Sequence, residues 1–322
     1  MAASNSASRR AFSTGLIFLI ATVLLMFANG RFPLGVCALL GPLFLIYFTR
    51  CGKGLARMAL AYVGLSFAFG FQFYRMTPFR DIAYWIFSAA FGLTLLFPYG
   101  ADRYLGKRWR GLSKSLVFPL ALVTSEYLVS FGPFGTWGSN AYSQYEHLAL
   151  LQLLSVTGLY GITFLIGWFA AVGAALWEAG FAVRNVQREV VAFGVCIVGV
   201  LLYVDIRMEM FPPRSPTVRV ACITRPDERR FPNPPSADLN RRVMMGEPLT
   251  DAETAQLHQR SSDIADFLLG RADLEAQAGA KVITFGEFNF PVLKQYETDL
   301  ISQARELALR RNIYIALPMA IF

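Results

Sequence analysis

The sequence predicts an α-helical membrane domain of about seven spans, residues 1–210, followed by a partial α/β domain, residues 211–322. Composition points first to the membrane. The chain is 55% hydrophobic and only 16% charged, with mean hydropathy +0.42, whereas soluble domains carry about 25% charged residues. The second observation is a series of long apolar segments. The third is an abrupt change of character after Met210, where "FPPRSPTVRV" brings proline and charge.

Crossing a bilayer takes about 20 apolar residues. Segments that reach or approach this length run over 11–29, 33–49, 55–73, 82–100, 113–131, 149–178 and 189–205. "SRRAFS" before the first is similar to a twin-arginine export signal, but spans that follow at once favour an uncleaved signal anchor. The second span holds Gly41-Pro42, which predicts a tilted or broken helix. The sixth is long, so its start is expected in the interface.

Loop charges predict the orientation. With a cytoplasmic N-terminus, twelve cationic residues fall inside: Arg9, Arg10, Arg50, Lys53, Arg57, Arg103, Lys107, Arg108, Arg110, Lys114, Arg184 and Arg188. Three fall outside, Arg31, Arg75 and Arg80, and the loop from Phe131 to His147 has none. Seven crossings then put the residues after Asp205 on the outer face. The net charge of +8 is read as loops held at an anionic membrane face. No basic run is interleaved with aromatics, so nucleic acid is not an expected partner.

The second domain reads β-α-β-α-β. "TVRVACIT" (217–224) is a strand, and 250–278 is a helix capped by Thr250 or Asp251, with Ile264, Phe267, Leu268 and Leu274 at helical spacing. "KVITF" (281–285) is the second strand and 293–311 the second helix, carrying Leu300, Ala304, Leu307 and Leu309. "IYIALPMAIF" (313–322) is the third strand. Strands alternating with helices predict a parallel sheet.

Functional side chains in such sheets gather at the carboxyl ends of strands. Glu287 stands at such an end, in "ITFGEFNFP" (283–291), after Gly286 and among Phe288, Phe290 and Pro291. An apolar surround disfavours the charged carboxylate and suits a general base, so Glu287 is expected to be buried in a pocket. The alternative is a carboxylate that caps a turn or pairs with a lysine.

Other candidates are fewer. Glu126 in "LVTSEYLVSF" is an ionisable group within a span, either functional or at the water boundary. "FGPFGTWGSNAYSQYEH" (131–147) offers Trp137, Tyr142 and Gln144 as an aromatic and amide-rich lipid entrance, or as ordinary interfacial belt residues. His147 and His258 read as surface or interface residues. Cys37, Cys51, Cys196 and Cys222 form no CxxC pair, so buried free thiols are expected, with Cys222 in the strand core. No HExxH, GxSxG, P-loop or GxGxxG motif is present, and no metal site is predicted.

Taken together, Glu126-Tyr127-Leu128, "YSQ" (142–144), "LLQLLSVTGLYGITFLIGWFAA" (150–171), "VRVACITRPD" (218–227) and "ITFGEFNFP" (283–291) resemble the apolipoprotein N-acyltransferase family. Its members join a membrane domain to a carbon–nitrogen hydrolase (nitrilase-like) domain. Thr224 stands where the family usually has glutamine, and Phe285-Gly286 replace the Trp-Pro of its Trp-Pro-Glu segment. The resemblance implies that Glu287 is the general base of a Glu-Lys-Cys triad, without cofactor or metal. It implies a phospholipid acyl donor and a lipoprotein or lipopeptide acceptor. It also implies a multi-pass protein of the cell membrane, the inner one in a bacterium, with the hydrolase-like domain on the periplasmic side. The family's lysine and cysteine find no counterpart here: Lys294 is too near Glu287, and no cysteine follows Cys222. The sequence therefore reads as an incomplete copy of that architecture, from a fragment, a truncated gene model or a degenerate paralogue. Competing readings are a membrane-tethered nitrilase-like amidase, a non-catalytic membrane protein with a remnant hydrolase domain, and a seven-span transporter.

Overall fold

The structure, a computed structural model, describes residues 2–52, 54–77, 79, 81–212, 214–226, 231 and 234–322, with side chains from Thr14 onward. The side chains of Arg9 and Arg10, the residues Lys53 and Arg80, and parts of the proline-rich stretches before and after β1 lie outside the described residues. The chain divides into two compact units, Met1–Pro212 and Pro213–Phe322.

The first unit is all helix. It contains α1 (Ala2–Met26), α2 (Gly35–Arg50), α3 (Gly54–Gln72), α4 (Asp81–Leu105), α5 (Leu112–Val129), α6 (Leu148–Leu151), α7 (Leu154–Thr157), α8 (Leu159–Glu178) and α9 (Gln187–Met210). Among the described residues, five helical segments are long and apolar enough to cross a membrane: Gly54–Gln72, Asp81–Arg108, Leu112–Val129, Leu159–Glu178 and Val183–Met210. Thr14–Met26 and Gly35–Arg50 are apolar but shorter. Of the two outcomes expected at Gly41-Pro42, tilt or break, the break does not occur, and α2 runs continuously through Pro42. The sixth apolar segment is the one that breaks, into α6, α7 and α8, with Gly158 at φ +59° between the last two. That backbone region is open to glycine at little cost.

Lipid tails are as apolar as leucine, so helices in a bilayer associate through close packing of small residues. Ala38, Ala61, Ala170, Ala171 and Ala174 are fully buried between the helices. A Cβ at Gly167 of α8 would stand 3.0 Å from the Pro119 Cα of α5, so any larger residue would push the two helices apart by a few tenths of an ångström. Phe48 and Phe118 fill the spaces that the small residues leave.

The second unit comprises β1 (Arg219–Ile223), α10 (Ala237–Met245), α11 (Asp251–Gln277), β2 (Ala280–Phe285), β3 (Phe290–Val292), α12 (Glu297–Arg311), β4 (Tyr314–Ala316) and β5 (Met319–Ile321). Strands β1, β2 and β4 form a parallel sheet in the order β1-β2-β4, with Ile283 level with Ala221 and Ile315. Thr250 caps α11 in a capping box with Glu253, which satisfies two otherwise orphaned amides. Ile264 and Leu268 of α11 bury fully against Ile283 and Phe285, and α12 adds Leu300, Ala304 and Leu307 to the same core.

Three expectations need correction. The stretch 313–322 is two strands, because Pro318 has no N–H for a ladder and the chain leaves the sheet there; β5 pairs instead with β3 in a separate two-stranded parallel sheet. Leu274 and Leu309 are 55% and 73% exposed, turned off the buried stripes of α11 and α12. Cys222 is exposed, because strand side chains alternate and Ala221 takes the inward position beside it.

Candidate functional site

The most developed polar arrangement of the first unit centres on Glu126, in the last turn of α5. A carboxylate there opposes the helix dipole, and hydrogen bonds offset this. Oε1 accepts from the backbone N and the Nδ2 of Asn140, each at 2.8 Å. Oε2 accepts from Ser139 Oγ and from Thr163 Oγ1 of α8, both at 2.8 Å. Glu126 thereby ties two helices to the loop 131–147. Asn29, after α1, holds the same loop from the other side, donating through Nδ2 to the carbonyls of Gly138 at 2.9 Å and Ser139 at 3.0 Å.

Beneath this loop lies a cavity of about 90 Å³. Its wall is largely apolar, with Phe69, Phe73, Phe91 and Trp137 among aliphatic residues, and Glu126, Asn29, Gln72 and Thr94 are among the polar residues that line it. Trp137 packs on Phe73 with ring centres 4.2 Å apart and edge-on to Phe69 at 6.1 Å. An apolar pocket with a few fixed polar groups suits a hydrocarbon chain that ends near a polar atom.

The structure brings Glu126 and Trp137 to one cavity and separates the other candidates from it. Tyr142 is exposed, and its hydroxyl meets Thr136 Oγ1 at 2.8 Å. Gln144 is buried and donates to the Gly35 carbonyl at 3.1 Å, which fixes the loop to the start of α2. Neither residue lines the cavity. Sequence reasoning missed Asn29, Ser139, Asn140 and Thr163. The Ser-Asn pair after the last loop glycine carried a signal, since short polar side chains favour such turn contacts; Thr163, inside an apolar run, carried little.

In the second unit Glu287 occupies the turn between β2 and β3. The turn is pinned to β1: Gly286 N donates to the Ile223 carbonyl at 3.1 Å and Asn289 Nδ2 to the same oxygen at 3.3 Å. Asn289 is buried, and Phe288 sits at φ +56°, a region that bulky residues rarely adopt. The expected burial of Glu287 is not found: its side chain is exposed. Phe285 and Phe290 pack edge-to-face on each other, 4.8 Å apart, beneath the turn, so their apolar surface is used in the core and does not enclose the carboxylate. Glu287 stands accessible at the carboxyl end of the central strand. Cys222 lies level with Thr284, three residues before Glu287 in β2. His258 stacks on Tyr296 at 3.6 Å, and His147 is exposed. Among the described residues no group of three or more His, Cys, Asp or Glu could hold a metal.

Comparison with known proteins adds to this geometry. Residues 21–172, which contain Glu126, Trp137 and the whole loop, match the family description "Apolipoprotein N-acyltransferase N-terminal domain". The chain is also similar to an apolipoprotein N-acyltransferase of Geobacter metallireducens, at 40% identity over 79 residues. That match spans 24% of this chain and 15% of the length of the relative.

Proposed function

We propose, from the match of residues 21–172 to the apolipoprotein N-acyltransferase N-terminal domain, that this chain serves the N-acylation of lipoproteins, carrying a fatty acyl group from a phospholipid to the α-amino group of an N-terminal diacylglyceryl-cysteine. The observation that carries this reading is the loop 131–147, held by Glu126 over a largely apolar cavity inside the matched region. A membrane-embedded, apolar cavity beneath a rigid polar loop suits acceptance of an acyl chain from the bilayer.

The second unit supports the chemistry through Glu287. We place it as the general base of a nitrilase-like site. It would take the proton of a thiol, the thiolate would attack the acyl ester, and the lysophospholipid alkoxide would leave with a proton. The resulting thioester would pass its acyl group to the acceptor amine as an amide. A lysine would hold the oxyanion of each tetrahedral state. Within residues 1–322 no lysine or cysteine matches those two roles, and the proposal is that these residues alone form no thioester. The orientation follows the loop charges: N-terminus cytoplasmic, Glu287 on the outer face.

The exposure of Glu287 favours one second reading, a membrane-tethered amidase for a small soluble amide. Incubation of the chain extended by a lysine and a cysteine beyond residue 322 with phospholipid and a diacylated lipopeptide, set against simple amides, separates the two. Acylated lipopeptide supports the acyltransferase, and release of ammonia from amides alone replaces it with the amidase.

A further inference from the structure

At the basic end of the first unit, the turn 106–111 between α4 and α5 and the turn 179–186 between α8 and α9 border an open groove of about 450 Å³. Gly111, at φ +58°, lets the chain turn sharply into α5. Two carboxylates line the groove, Glu178 and Glu189, and so do three cations, Lys107, Arg110 and Lys114.

The two carboxylates differ. Glu178 is compensated: Arg50 Nη1 donates to it at 3.4 Å, and Lys114 Nζ stands 3.7 Å away. Glu189, in the first turn of α9, is only 8% exposed. A Cβ at Gly111 would stand 3.7 Å from its Oε1, so the side chain reaches the opposite wall of the groove. Among the described residues no hydrogen bond or ion pair meets this carboxylate. The helix dipole favours a negative charge at this end, yet a buried carboxylate without a partner is costly. Water would fill its lone pairs and leave the charge uncompensated.

The cations of the groove are in the opposite position. Arg110 is exposed, with no carboxylate within ion-pair distance among the described residues, and Lys107 only overlies the Tyr104 ring, 5.8 Å from its centre. None of the three cations reaches Glu189, so the groove holds an unpaired buried anion and unpaired exposed cations. A ligand that satisfies both carries a positive donor and an anion a short distance apart. A primary ammonium brings three N–H donors to a carboxylate, and guanidinium and lysine groups match the oxygens of a phosphate. Apolar side chains beside the groove indicate the source. Trp109 in its wall is 55% exposed, and Leu105 and Leu112 flank the same turn and are exposed, at helix ends where such residues meet the lipid interface.

We propose that this groove binds the headgroup of a phospholipid that carries a primary ammonium, with the ammonium on Glu189 and the phosphate on Arg110 and Lys107. Among the described residues no serine, threonine or cysteine lines it, so the site holds the lipid and does not react with it. It lies wholly in the first unit and does not depend on the acyltransferase reading.

The test uses the 322-residue chain in detergent, titrated with ether-linked phosphatidylethanolamine, phosphatidylcholine or phosphatidylglycerol and read by native mass spectrometry. Ether lipids have no acyl ester, so binding is read apart from any transfer. The site predicts that phosphatidylethanolamine binds tightest, because phosphatidylcholine has the positive charge without an N–H donor and phosphatidylglycerol lacks the ammonium. Glu189→Gln should weaken phosphatidylethanolamine binding about tenfold or more, the size of effect expected for a lost charge-assisted hydrogen bond. It removes an unpaired buried charge, so its unfolding midpoint in lipid-free detergent should not fall. Arg110→Gln should weaken binding as well. It changes an exposed side chain, so it carries the test if Glu189→Gln fails to fold. Equal binding of phosphatidylethanolamine by the parent and every variant that folds, tightest binding of phosphatidylglycerol by the parent, or no lipid bound, overturns the proposal.

Discussion

Asn140 meets the carboxylate of Glu126 twice, with its backbone N and its Nδ2 both 2.8 Å from Oε1. The other oxygen takes Ser139 and Thr163, so the carboxylate accepts four hydrogen bonds. Glutamine at this position would keep the shape but turn one acceptor into a donor facing donors. Glu126→Gln should therefore loosen the loop 131–147 at a cost of about 2–3 kcal/mol. Limited proteolysis within the loop should speed up while the helical content stays. Unchanged cleavage would show that the loop is held by Asn29 and packing alone.

The core of the second unit gives a paired test. Leu268 is fully buried and Leu274 is 55% exposed on the same helix. Leu268→Ala should cost about 2–5 kcal/mol, and Leu274→Ala should stay within about 0.5 kcal/mol, read by denaturant unfolding of the second unit's signal. Equal costs would place Leu274 in the core after all.

That pair also shows what the sequence made legible. Periodicity located α11 and α12, the N-cap of α11 and the parallel sheet, since each follows from local spacing and capping chemistry. It did not separate Leu268 from Leu274, because the width of the buried stripe depends on how far β2 and β3 reach along the helix. Pro318 stood in plain view within the last strand, but β3, the partner of β5, is only three residues long and gives no periodic signal. Glu287 was legible as a strand-end carboxylate. Its exposure was not, because Phe285 and Phe290 are its neighbours in sequence yet point into the core beneath it.

Acid should act on the second unit through Asp273. Arg311 donates to it at both oxygens, Nε at 2.7 Å and Nη2 at 2.9 Å, and this pairing first, with Gln277 and Arg310, lowers its pKa from 3.8 to about 2. A carboxyl with a depressed folded pKa adds stability above its unfolded value and loses it as pH falls through the folded one. The melting temperature should thus drop between about pH 4 and pH 2, and Asp273→Asn should remove that part of the slope. A slope unchanged in Asp273→Asn would assign the acid response to other carboxylates.

Orientation is open to labelling. In a background without the native cysteines, Ala252→Cys should react with an impermeant maleimide from outside the cell. Ser113→Cys, in the first turn of α5, should react only after lysis. The reverse pattern would place Glu287 in the cytoplasm and remove the support for lipoprotein substrates.

The central claim is that Glu287 serves as the base of an acyl transfer. Mass spectrometry of a diacylated lipopeptide, incubated with phospholipid and the chain extended by a lysine and a cysteine beyond residue 322, tests it most directly. The account predicts a palmitoyl-sized gain on the α-amine and an acyl adduct on the added cysteine. Glu287→Gln should lower both about 10²–10⁴-fold with the fold intact, and residues 1–322 alone should give neither. Equal transfer with Glu287→Gln, or transfer by residues 1–322 alone, would contradict the assignment and turn attention to Cys222.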